Sequence, residues 1–257
     1  NFKSRSFEHS KRLTRIYQPK ALRCGQIISL SKPATAHLVR VLRLQVGDDF
    51  IVFNGTGGEF NAKIVAQNKQ TVSAKLGHYE AVERESPLDI ILAQAVLRSD
   101  KMDYVLQKAV ELGVTRLVPL ITAHSTLKLS PERWKKRYLH WQGVILAACE
   151  QSGRTRLAAL ENPMTFDMGL SALKADKRLI LLPQARQDNH LASSHCQSVV
   201  VLVGPEGGWS ENEAKLAIAA GYCPLRLGPR ILRTETAGLV ALSLLQSLLG
   251  DIARNIV

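Results

Sequence analysis

Two runs, "RLILL" (178–182) and "SVVVLV" (198–203), leave the chain little freedom. Neither alternates apolar with polar residues, and only a strand covered on both faces, as in a parallel sheet, tolerates that. The chain around them keeps a strand–helix rhythm. "LDIILAQAVL" (88–97) reads as a buried strand, "KMDYVLQKAVELG" (101–113) as an amphipathic helix stopped by Gly113, and "TRLVPLI" (115–121) as a second strand. "SPERWKKRYLHWQGVILAACEQSG" (130–153) is a long helix with Ser130 as N-cap, Pro131 in its first position and Gly153 as its stop. "SENEAKLAIAAG" (210–221) opens with a Ser210–Glu213 capping box, and "PLRLG" (224–228) is the last strand. Such alternation predicts an α/β fold with a mainly parallel sheet and ligands at the carboxyl ends of its strands. The final segment, "AGLVALSLLQSLLG" (237–250), is apolar nearly all round; such a helix has to be enclosed, by its own domain and by a second subunit.

Ahead of this rhythm the pattern is mainly β. "DDFIVFNGTGGEFNAKIVAQNKQTVSAKLG" is a meander of short strands; no helix signal follows its glycines, so "NGTGG" is a hairpin turn rather than a phosphate loop. "PATAHLVRVLRL" is a short helix with Leu38, Val41 and Leu42 on one face and Arg40 and Arg43 on another, which predicts a small β-barrel closed by one helix. "EAVERESP" (80–87) is a charged linker. The expected domains are therefore 12–83, the barrel, and 86–257, the α/β unit, behind a flexible arm or tag remnant at 1–11.

Charge narrows the function. Lys and Arg number 34 against 22 Asp and Glu, a net charge of +12. The excess is spread, with 11 basic against six acidic residues in 12–85 and 20 against 15 in 86–257. A basic surface over two segments suits a polyanion such as nucleic acid. Four separated cysteines and seven scattered histidines supply neither a disulfide framework nor metal-ligand spacing, so no metal is expected. No apolar run reaches the roughly 20 residues that cross a bilayer, and the N-terminus lacks a signal-peptide core, so the expected location is cytoplasmic.

Three strands end in punctuated loops: "LLP" (181–183), "VGPEGG" (203–208) and "LGPR" (227–230). Glycine at a strand tip lets backbone groups approach a ligand, and three such tips on one sheet edge make a pocket. GxGxxG and the Walker lysine are both absent. In "RTETA" (233–237), Thr234 or Thr236 can cap the final helix and Glu235 suits its positive end. Arg233 gains nothing from that dipole, and its place makes sense if an anion or developing negative charge meets it. "AACEQSGR" (147–154) has no histidine to activate Cys149, so it reads as a buried cysteine beside a polar helix end that contacts RNA or a partner subunit.

"GPEGGWS", "LGPRILRTETA", "ACEQSGR" and "KAVELGV", with "RIYQP" and "HLVRVLRL" upstream, together resemble the bacterial RsmE-type enzymes, 16S ribosomal RNA uridine-N3 methyltransferases of the SPOUT, or trefoil-knot, class. The resemblance spans about residues 12–252 and implies a knotted SPOUT domain behind a PUA-like β-barrel. It implies S-adenosylmethionine as cofactor, held by Leu182, by Gly204, Glu206, Gly207 and Gly208, by Leu227, Gly228, Ile231 and Leu232, and by Thr236. It also implies a homodimer built on the last helix. "LLPQAR" departs from the family's usual form at the first loop, which leaves Pro183 and Gln184 open as contacts.

For such chemistry Arg233 stabilises the charge left on uracil when N3 loses its proton, and Glu235 is the candidate base, with Glu206 or water as alternatives. Arg15, Arg40, Arg43, Arg98, Lys101 and Arg154 are the expected grips on RNA backbone. Rival readings are a knotted methyltransferase acting on ribose 2′-OH or on transfer RNA, and a non-catalytic RNA-binding assembly factor.

Overall fold

The structure, a computed structural model, describes residues 13–68, 70–125, 129–186 and 196–252. The arm expected at 1–11 lies outside the described residues. The chain divides into two compact units, Asn1–Glu83 and Arg84–Val257.

In the first unit β1 (Arg15–Tyr17), β2 (Ile27–Ser29), β3 (Asp49–Phe53), β4 (Glu59–Gln67) and β5 (Val72–Glu80) form one sheet in the order β1-β3-β4-β5-β2. The β1–β3 pair is parallel and the rest antiparallel. No ladder joins the end strands β1 and β2. The buried Gln18 side chain spans the gap instead, donating to the Tyr17 carbonyl and accepting from the Ser31 N–H at 3.1 Å. The turn from β3 to β4 contains three glycines at positive φ, Gly55, Gly57 and Gly58, as a hairpin reading requires. Helix α1 (Lys32–Ala36), capped by Ser31, runs into a π-helical turn at His37–Val41. That turn corrects the expected apolar face. Its extra residue per turn keeps Leu38 in the core but rotates Val41 and Leu42 out to solvent.

The second unit is a parallel sheet of β6 (Asp89–Ala95), β7 (Arg116–Ile121), β8 (Ala159–Leu160), β10 (Lys177–Leu181), β11 (Ser198–Val203) and β12 (Cys223–Leu225). Its order is β12-β10-β11-β6-β7-β8, with the short β9 (Met164–Thr165) also on β7. Strand alternation divides its side chains between two helical layers. Ile91, Ala93, Val118, Leu120, Ile180, Val200 and Leu202 pack with α4 (Phe166–Ala172) and α5 (Glu211–Ala219). Leu92 and Val203 face α6 (Thr234–Leu248), where Gly238 comes within a Cβ's contact of both. On that side α2 (Ser99–Glu111) packs against both α6 and α3 (Pro131–Ser152). The expected stops are present: Gly153 is left-handed after α3, and Ser210 with Glu213 forms a full capping box.

Helix α6 is fixed at its far end by one buried amide. Gln246 donates from Nε2 to the Leu112 carbonyl at 2.9 Å and accepts from the Ser86 hydroxyl at 2.7 Å. Gly113 makes room, since a Cβ there would stand 2.6 Å from the Gln246 Nε2. Leu242 and Leu245 are fully buried, each contributing about 1.5–3 kcal/mol. The opposite face, Leu244 at 39% and Leu248 at 58% exposure, is not covered within the described residues.

Candidate active site

Because β12, β10 and β11 are neighbours and parallel, the segments after Leu225, Leu181 and Val203 leave the sheet at one edge. They surround a cavity of about 510 Å³, within the range of small-molecule sites. Leu182, Gly204, Glu206, Gly207, Gly208, Leu227, Gly228, Ile231 and Leu232 all line it, as do Pro183 and Gln184. Thr236 does not: it lies inside α6, and the helical turn carries it to an exposed face.

The mouth of α6 differs from the expected cap. Arg233 itself occupies the N-cap position, and no side chain caps the helix. Thr234 is drawn away instead: its hydroxyl donates to the Gly204 carbonyl and accepts from Gln94 Nε2 at 3.2 Å. The helix start is thereby tied to two strand tips, β11 and β6. Arg233, exposed, and Glu235, half-buried, stand on the cavity wall.

Opposite them is Lys101, one turn into α2. Its Nζ is 3.3 Å from Glu235 Oε1 and 3.7 Å from Glu206 Oε1, so the expected RNA grip is a cavity residue between two carboxylates. Glu235 Oε2 is buried with no hydrogen-bond partner among the described residues. A buried acceptor left unmade costs about 1–3 kcal/mol, which a ligand donor would recover.

Two contributors escaped sequence reading. Trp209 donates from Nε1 to the Leu181 carbonyl at 3.2 Å, and its ring lies 3.2 Å from where a Cβ on Gly204 would sit. That glycine is needed for the close approach of ring and strand tip. Gln94 was signalled only as the one polar residue after Asp89 in an apolar strand; it is 1% exposed and holds Thr234. Outside the cavity wall, His124 Nδ1 meets the Gly208 carbonyl at 3.0 Å, and the Ala123 N–H donates to Glu213 at 2.8 Å, fastening the segment after β7 to this edge.

The structure corrects two of the expected RNA contacts. Arg154 is 5% exposed; it pairs with Glu85 at 2.5 Å and donates to the Val110 and Val114 carbonyls. Arg15 is 8% exposed, pairs with Glu59 and stacks over the Phe53 ring. Both guanidiniums are buried with carboxylates, since an unpaired buried charge would be far costlier, and neither faces a phosphate. Arg154 therefore turns inward, while Glu150 at the end of α3 is half-buried and Gln151 exposed. Beside Arg154, Cys149 is buried, and burial pushes the pKa of its thiol up, away from the thiolate form. Arg40, Arg43 and Arg98 are exposed. Among the described residues no cluster could hold a metal ion, and no helix is long and apolar enough to cross a membrane.

Comparison with known proteins agrees with this layout. The RNA methyltransferase domain family matches residues 84–246, and the RNA methyltransferase PUA domain family matches 30–77. Ribosomal RNA small subunit methyltransferase E of Buchnera aphidicola (subsp. Schizaphis graminum) is 33% identical over 244 residues, covering 95% of this chain and 99% of that one. Among solved structures, a Legionella pneumophila protein in complex with the bound cofactor SAM has 40% identity and a TM-score of 0.91, covering 94% of this chain and all of that one. Ribosomal RNA small subunit methyltransferase E from Neisseria gonorrhoeae, bound to S-adenosyl methionine, has 35% identity and a TM-score of 0.87 over the same shares. With its PUA-like unit ahead of a parallel sheet of the knotted SPOUT class, the chain belongs to the ribosomal RNA small subunit methyltransferase E family.

Proposed function

We propose that this chain methylates N3 of a uridine in small-subunit (16S) ribosomal RNA, using S-adenosylmethionine. The observation that carries this is the convergence of three strand tips, two of them bearing glycine, the Arg233 N-cap and the Glu235–Lys101–Glu206 group on one cavity. The cavity fits the cofactor in size, and its two carboxylates suit a ligand bearing a sulfonium and an ammonium. Leu182, the 204–208 loop and the 227–232 loop would hold it. When bound, it supplies an electrophilic methyl group.

What the chain's own residues do is align the acceptor, exclude water and manage charge. Uracil N3 bears a proton and sits on the pairing edge, so the base must be unpaired before it enters. Glu235 Oε2, the acceptor without a partner, takes that proton. Lys101 holds the other oxygen, so the carboxylate stays on the cavity wall, and a turn of the carboxylate brings the buried Oε2 out to the entering base. Arg233 stabilises the negative charge that spreads over the two carbonyl oxygens, and the helix N-terminus behind it adds to that field. Arg40, Arg43 and Arg98 hold RNA backbone outside the pocket. A second copy of the chain covers the Leu244 and Leu248 face of α6, since an apolar helix face left in water is otherwise unaccounted for. Such a substrate places the protein in the cytoplasm.

The test is to incubate small-subunit RNA, naked and assembled, with methyl-labelled S-adenosylmethionine and to identify the labelled nucleoside. N3-methyluridine is expected; a 2′-O-methyl nucleoside, or no label with either substrate, would refute the proposal.

A further inference from the structure

Helix N-caps are normally Ser, Thr, Asp or Asn, whose side chains accept from the first free N–H groups. Two helices of the second unit break that preference in the same way: α6 begins at Arg233 and α2 at Arg98, and neither arginine makes a capping bond. Their neighbour α3 is capped by Ser130, but its first turns read "ERWKKR". Arg133 and Lys136 are exposed, and Arg137 flanks them at helical spacing. Among the described residues neither Arg133, Lys135 nor Lys136 has an ion pair. Asp103, the nearby acid on α2, is bonded to His140 at 2.7 Å. Glu132, Asp100 and Glu235 are the remaining acids of these first turns, and Glu235 is taken up by Lys101. Basic side chains there repel one another and oppose the positive end of the helix, a modest cost for each that an anion lying across them would offset.

The three helices are consecutive on one side of the sheet, α6 against α2 and α2 against α3. All follow parallel strands, so all start at the carboxyl edge where the cavity opens. The Arg137 Nη2 donates to the Leu97 carbonyl at 2.9 Å, which fixes the basic turns of α3 beside Arg98. Helices packed at about 8–10 Å spacing put the three N-termini some 16–20 Å from end to end, roughly five or six stacked nucleotides at 3.4 Å each.

The geometry points to a phosphate track: Arg98, Arg133 and Lys136 carry the RNA strand flanking the target nucleotide along these helix starts and into the cavity. The inference rests on the RNA-methylating reading of that cavity and adds the surface by which the substrate arrives. Contact is with backbone phosphates and is insensitive to base identity.

Lys135 and Lys136 supply the test, because they are adjacent in sequence but point about 100° apart around α3, with only Lys136 on the row of Arg133 and His140 beside α2. Binding of naked small-subunit RNA is measured between 50 and 200 mM salt for the wild type, Lys135→Glu, Lys136→Glu and Arg133→Glu with Lys136→Glu. Lys136→Glu should weaken binding several-fold more than Lys135→Glu, although both change the charge equally. The double variant should flatten the log–log salt slope by about 1.4, the value for two phosphates lost from a single strand. S-adenosylmethionine titration of each variant should match the wild type, and Lys136→Gln should give the same ordering in smaller measure. Equal effects of the two lysine reversals, or an unchanged slope in the double variant, would overturn the track. A wild type that binds with the expected slope yet leaves the RNA unmethylated would sink the catalytic reading alone.

Discussion

Arg233 combines two properties seldom found together, a helix N-cap position and a place on a cavity wall. Arg233→Ala should cut kcat by about 10²–10³, as expected for loss of one donor to a developing oxyanion. Its calorimetric affinity for S-adenosylmethionine should stay close to the wild type. Lys101→Met should lower kcat with little change in KM for RNA, because Glu235 loses the contact that orients it; Lys101→Arg should restore much of the rate. The place of Arg233 on the cavity wall was legible because an arginine after two apolar residues, at the positive end of a helix, has no local structural motive. Arg154 and Arg15 were not. Their carboxylate partners, Glu85 and Glu59, lie 69 and 44 positions away, and nothing local reveals that a guanidinium will be buried. Lys101 was misjudged for the same reason, since only the fold brings Glu206 and Glu235 to it.

At the scale of elements, the parallel strands and most helix limits followed from local rules: continuous apolar runs, Ser130 and Ser210 as caps, Gly113 and Gly153 as stops. The rules failed where long-range bonds took over. Thr234 and Thr236 looked like caps, but the Gly204 carbonyl and Gln94 claimed Thr234. In "HLVRVLRL" a π-helical turn broke the 3.6-residue period on which the expected face depended. One strand junction gives a pH prediction. Asp176, just before β10, accepts from the Gln197 and Ser198 N–H groups at the start of β11 at 2.9 and 3.0 Å. These bonds, the Gln197 N–H foremost, hold its carboxyl below the usual carboxylate range. A depressed folded value adds stability that is fully present above the unfolded value, near 3.8, and fades as pH falls through the folded one. Asp176→Asn should therefore lower the thermal midpoint at pH 7, and its deficit against the wild type should close below about pH 4.

For the whole molecule, the dispersed charge was the guide to a polyanionic partner, and composition carried that without structural help. The proposed second copy can be tested on α6. Leu244→Glu with Leu248→Glu puts charge on the uncovered face, so sedimentation should change from dimer to monomer while circular dichroism keeps the helical signal. A wild type that sediments as a monomer at micromolar concentration would remove the second copy from the proposal. The apolar sequence of α6 required cover all round, and the described residues supply it on one side only.

The bond from Ser86 to Gln246 joins residues 160 positions apart. A polypeptide emerging from the ribosome therefore cannot finish this unit's interior until nearly all of it has been translated. Contacts of such sequence range favour late closure and slow folding. For much of its synthesis the nascent chain must carry Val- and Leu-rich strands without their final covering helix, so chaperone demand during translation should exceed that of a helical bundle of equal length.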